Sequence, residues 1–166
     1  MKPETHNKNV QTINELYDGV AKRTLDYDEA LKKLTKIHNS YLREFRKSLI
    51  EEGLAEKTID RHESNIEFYA NVFLARELCY TLFDGGAPLY EFFGYFYIRK
   101  CLFASIEGMK NYFTSFNKFF RFLYRNGYLG QEKYLEAIQI IKANKDEWLE
   151  DLWRYDHDLD EGDEFF

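Results

Sequence analysis

The sequence predicts an all-α fold, a helical bundle with a set of core helices and extra helices at its N- and C-terminal ends. Three observations predict it. Apolar residues recur at steps of three and four in one stretch after another, the spacing of a single buried helix face. Several stretches open on Asp, Ser or Thr and close on Gly, residues that satisfy orphan amides or take the left-handed closing conformation. The 166 residues include only 2 prolines and 9 glycines, too few for a loop-rich or all-β chain.

The stretch from Ser105 to Gly127 organises the rest. Ile106, Met109, Phe113, Phe116, Phe120 and Leu123 form its apolar line, and Tyr112, Phe119 and Phe122 widen it. At ~100° per residue, Lys110, Lys118, Arg121 and Arg125 fall inside one wedge of roughly 80°. The spacing therefore predicts a mostly embedded helix that shows a narrow basic stripe. Ser105 is placed to cap its start, and Asn126-Gly127 to close its end. A solvated face of a core helix would carry the same charges. Glu107 lies in the same wedge and weakens the basic reading. Phosphate contact needs support from elsewhere in the chain.

In chain order, residues 1–9 are polar and read as disordered, within an N-terminal extension over residues 1–25. A short helix is expected from Val10 to Val20. Asp26 or Asp28 caps a long helix through Leu31, Leu34, Ile37, Tyr41, Phe45, Leu49 and Ile50, closed by Gly53. Thr58 is the expected N-cap of the next helix, along Ile59, His62, Ile66, Tyr69 and Phe73 to about Cys79 or Tyr80. Asp84-Gly85-Gly86-Ala87-Pro88 is the clearest break. Leu89 to Leu102 is apolar nearly all round and reads as a central helix. Its Tyr and Phe content also suits a strand, but nothing else in the chain offers a pairing partner. These elements make a core domain over residues 26–130. Helices at Gln131–Ala143 and, capped by Asn144, at Lys145–Tyr155 are expected to pack on it over residues 131–155. An acidic, disordered tail is expected over residues 156–166.

Charge is unevenly placed. The net charge is −6. Residues 1–53 carry 10 Lys and Arg against 9 Asp and Glu, and residues 54–130 carry 9 against 8. Residues 131–166 carry 4 against 12. Local patches govern contact with a polyanion, so the total does not exclude one. From Arg99 to Arg125 six bases meet the single Glu107.

No run approaches the ~20 apolar residues of a membrane span. The first residues have no apolar segment of the kind a signal peptide needs. Cys79 and Cys101 are expected in helices as reduced thiols of a cytoplasmic protein. His6, His38, His62 and His157 are scattered, and packing is the expected role of His38 and His62. Asp156, Asp158 and Asp160 alternate as in a calcium loop, but Glu161 stands where that loop requires Gly. There is no P-loop, dinucleotide fingerprint or His-Glu-x-x-His. No paired carboxylates sit in an apolar setting. The expectation is a protein without enzymatic activity, metal or cofactor.

Leu54-Ala55-Glu56-Lys57-Thr58-Ile59-Asp60-Arg61-His62, through Phe73-Leu74, resembles the opening of the core-binding, SAM-like N-terminal domain of tyrosine recombinases and phage integrases. That opening commonly reads Leu-Ser-x-x-Thr; here Ala55 replaces Ser. Phe103-Ala104-Ser105-Ile106, Lys110, Ser115, Phe119-Phe120-Arg121-Phe122-Leu123 and Gly127 are similar to the domain's later signature. The resemblance covers about residues 40–130. It implies an orthogonal, SAM-like bundle of about four core helices. It also implies contact with double-stranded DNA, at the backbone and the major groove, in DNA integration and recombination. Carried over by position, the DNA-binding candidates are Lys57, Thr58, Arg61, Lys110, Thr114, Lys118, Arg121 and Arg125. Thirty-six residues follow Gly130, too few for the family's catalytic domain, so no strand cleavage is implied. The alternative expectation is an interaction or scaffold domain that has lost DNA, with the Trp148/Trp153 helix as a protein-docking surface or homodimer seam.

Overall fold

The computed structural model describes residues 1–163, with the side chains of residues 1–158. It is an all-α bundle of six helices, and no strand occurs among the described residues. α1 is Pro3–Ala21 and α2 is Tyr27–Glu51. α3 starts as Glu56–Phe68, continues as a π turn over Tyr69–Phe73 and ends as Leu74–Glu77. α4 has the same build: Leu89–Glu91, a π turn over Phe92–Phe96, then Tyr97–Lys100. α5 is Ile106–Arg125 and α6 is Gln131–Asp163.

α1 corrects the expectation of a disordered start. Pro3 sits in the first turn, where its missing N–H is no loss. His6 extends the line of Val10, Ile13, Tyr17 and Val20, and its ring is buried against Phe83 and Tyr128. Its Nδ1 lies 2.8 Å from the Tyr41 hydroxyl. The Met1 amine also reaches Glu44 on α2. Reading His6 as polar hid this turn.

α2 begins as expected: the Asp26 carboxylate accepts from the Glu29 amide at 3.2 Å. α3 does not begin at Thr58. Its N-cap is Ala55, whose carbonyl collects the Thr58 and Ile59 amides at 2.9 and 3.0 Å. Thr58 therefore stands inside the first turn, not ahead of it. α3 ends at Glu77 because Leu78 turns left-handed, φ 54°. This leaves Cys79 exposed in a loop, while Cys101 is buried at the end of α4; neither lies in a helix.

The π turns of α3 and α4 meet in the core. Phe92 lies edge-on to Tyr69 and Phe73 at 5.3 and 5.1 Å, and Phe73 is 5.0 Å from Phe96. An inserted residue widens each helix and aims these rings at one another. α4 is central on one side only: Phe92, Phe93, Phe96 and Tyr97 are buried, and Tyr90 and Tyr95 are exposed.

α5 packs on α2, α3 and α6. Ser105 caps it, accepting from the Gly108 amide at 2.9 Å. Gly127, at φ 73°, turns the chain out of it at little steric cost. Met109, Phe113, Phe116, Phe120 and Leu123 are buried as the spacing predicts.

α6 corrects three expectations. It is one helix where two were expected, because Asn144 does not cap. Its side-chain amide donates to the Ile140 carbonyl at 2.7 Å, one turn back in the same helix. The backbone stays helical through Asp163, so the expected disordered tail is helix over residues 156–163; residues 164–166 lie outside the described residues. Arg154 pairs with Glu150 and Trp153 stacks on His157, four-residue spacings that support the later turns. The Trp148 side of the expected docking helix is also corrected: Trp148 is 4% exposed, stacked on Phe93 at 5.0 Å in the core.

Candidate nucleic-acid interface

The buried arc of α5 fixes which residues face outward. Lys110, Thr114, Arg121 and Arg125 are exposed, and Lys118 is half-buried at the edge of the wedge. None of Lys110, Arg121 or Arg125 has an ion pair among the described residues. Lys118 does: its Nζ lies 2.9 Å from Glu52 Oε2 at the end of α2.

Ser115 seats α3 on this helix. Its hydroxyl donates to the Asn111 carbonyl at 3.0 Å and accepts from Asn65 Nδ2 at 3.0 Å. His62 Nδ1 lies 2.7 Å from the same oxygen. With the hydroxyl proton committed to Asn111, Nδ1 carries the imidazole proton and donates. Burial, helped by the nearby charges of Arg61 and Lys118 and opposed by Glu52, pushes His62 down to about 4. His62 is thus neutral at pH 7, and Arg61, Lys118 and Glu52 share its neighbourhood.

The stripe is not continuous. Lys118, Arg121 and Arg125 line a hollow of about 260 Å³ together with Glu51 and Glu52 of α2. Lys110 and Thr114 instead line a cleft of about 490 Å³ between α5 and α6. Lys57 and Arg61 are exposed on α3, while Thr58 is half-buried. Thr58 does not open the helix from the expected cap position. Across the α2–α3 seam Arg46 holds Asp60 and Glu63, at 2.8 and 2.5 Å. That removes two acidic side chains from competition with Lys57 and Arg61.

Two basic residues of this surface escape the sequence reading. Lys142 and Lys145 share the α5–α6 cleft with Lys110, and Asp146 lines it beside them. Their three-residue spacing was visible, but they lie in the segment with the largest acidic excess. His38, on α2, is fully buried: Nδ1 lies 3.0 Å from Asn71 Oδ1, and Nε2 has no hydrogen-bond partner among the described residues. Burial pushes it down to about 4. No group of three or more His, Cys, Asp or Glu able to hold a metal occurs among the described residues. No described helix is long and apolar enough to cross a membrane.

No protein-family model, curated protein or solved structure matches the chain.

Proposed function

We propose that this chain is a non-catalytic module that binds the phosphate backbone of double-stranded DNA through the outer face of α5, joined by the first turns of α3. The observation that carries the reading is the exposure of Lys110, Arg121 and Arg125 on a helix whose opposite face is sunk in the core, none of them paired among the described residues; Glu107, Thr114 and Tyr124 are exposed beside them. Lys57 and Arg61 are exposed on α3, which packs against α5. From Lys110 to Arg125 the helix runs about 22 Å, a length of duplex axis over which each strand carries roughly six phosphates. The motif resemblance to recombinase core-binding domains points the same way.

Such binding is mostly counterion release, so affinity should fall steeply with salt. Anisotropy of a labelled duplex at low and moderate salt tests this. The expected result is binding at low salt that Arg121→Glu with Arg125→Glu reduces at least tenfold while flattening the salt dependence. No binding at low salt, or binding indifferent to the charge reversals, overturns it.

A second reading, an interaction or scaffold domain, is favoured by one observation. Glu51 and Glu52 sit in the hollow of Lys118, Arg121 and Arg125 and offset part of its charge. Absence of DNA binding at low salt would select this reading.

A further inference from the structure

α6 sorts its charges by side. Lys142 and Lys145 stand with Ile138 and Leu149 on the flank that walls the α5–α6 cleft. At ~100° per residue, Glu132, Glu136, Glu147, Glu150 and Asp151 lie more than about 100° round the helix from the middle of that flank. Asp146 is the exception and lines the cleft. The acidic excess of this segment is therefore turned away from the cleft, although the sequence interleaves it with the lysines.

α5 and α6 run antiparallel. Tyr124 stacks on Tyr134 at 4.7 Å, and Phe113 lies 6.1 Å from Trp148. That pairing sets Thr114 across from Lys145 and Asn117 across from Lys142, with Lys110 one turn before Thr114. The three lysines thus fall within about 10 Å along the helix pair. All three are exposed, and none has an ion pair among the described residues. The cleft therefore sets three bases against Asp146. The hollow further along α5 sets Lys118, Arg121 and Arg125 against Glu51 and Glu52, and Lys118 is paired there. The larger positive excess lies on the cleft side. Glu107 is exposed a turn before Lys110 but outside the cleft lining.

We propose that Lys110, Lys142 and Lys145 form a second phosphate site of the duplex surface, so that one strand of the backbone passes over α6 as well as α5. The inference rests on the DNA reading and deepens it with residues of α6 that lie beyond the motif resemblance. Lys110 belongs both to the outer face of α5 and to the cleft, which makes the two surfaces continuous. About 10 Å of duplex axis carries roughly three phosphates per strand, one for each lysine. An ammonium on a flexible stem meets a phosphate as a point charge and needs no fixed fork. The cleft floor, Phe113 and Ile141, is buried core and brings no charge of its own.

Anisotropy of a labelled duplex across several salt concentrations tests the site, comparing the parent with Lys142→Gln plus Lys145→Gln. A control, Lys32→Gln plus Lys36→Gln, removes the same charge from exposed positions of α2. The cleft pair is expected to lower affinity at low salt about tenfold and to reduce the salt slope by about two phosphate contacts. The control is expected to leave the slope as it is. All four side chains are exposed, so the helical spectrum should not change. Reductive methylation of the parent gives a second measure: bound duplex should slow modification of Lys142 and Lys145 relative to Lys32 and Lys36. A parent that does not bind at low salt ends the DNA reading, and this site with it. A parent that binds, and that the Arg121 and Arg125 reversals weaken but the cleft pair does not, overturns the cleft site alone. So does a control that flattens the slope as much as the cleft pair, or methylation that duplex slows equally at all four lysines.

Discussion

Lys118 on α5 holds Glu52 at the end of α2 at 2.9 Å, across 66 residues of sequence. The contact ties two helices and takes one lysine from the basic face. An ion pair this close to water contributes at most about 1 kcal/mol, so it constrains charge more than it constrains the fold.

Glu52→Gln should therefore release Lys118 with little effect on stability. On the proposed DNA reading, duplex affinity at low salt is expected to rise several-fold, and the salt dependence to steepen by about one phosphate contact. Anisotropy titrations at several salt concentrations check both.

Ser115→Ala removes the hydroxyl shared by His62 and Asn65. Both would lose a partner at the α3–α5 seam. The expected cost is about 1–3 kcal/mol, the penalty for stranding buried polar groups. Urea unfolding of the variant measures it. A change within experimental scatter would show that the seam repacks without its hydroxyl.

Acid should destabilise the fold through its histidines. His38 and His62 are held down at about 4 by burial, while in the unfolded chain both titrate near 6.5. Between those values the unfolded state binds the extra protons. Stability is then full above about pH 6.5, falls as pH drops towards 4, and stops falling from this cause below it. Each group contributes a slope of at most about 1.4 kcal/mol per pH unit. Urea midpoints at pH 7, 5.5 and 4.5 check the trend, and His62→Gln should flatten it.

Asn144→Ala distinguishes one long helix from two. As the N-cap of a separate helix, Asn144 would cost about 1 kcal/mol to lose. Inside α6 its amide only bonds one turn back, and alanine is the better helix former. The variant is expected to be as stable as the parent or more so, measured by thermal unfolding.

Local rules were readable from the chain because their causes are local. Asp26, Ser105, Gly53 and Gly127 act within four residues of themselves, and the apolar line of α5 follows from helix geometry. What stayed hidden depends on neighbours far along the chain. His6 reads as polar until Tyr41, Phe83 and Tyr128 surround it. The π turns are set by rings of α3 and α4 that meet only after folding. Asn144 suits a cap on residue type, and only the continuing helix shows where its amide is spent. For the candidate surface, the side of α5 that faces outward was legible. Its division was not, because Glu51, Glu52, Lys142 and Lys145 arrive from other helices.

The loop before α4 touches α6 with almost nothing between them. A Cβ on Gly86 would stand 2.8 Å from the Ala137 Cα and 2.8 Å from Ile140 Cδ1. One absent methyl thus sets how far the long helix can roll. Were alanine to replace Gly86, that rod would have to swivel or lift, and the residues it offers to solvent would change along much of its length.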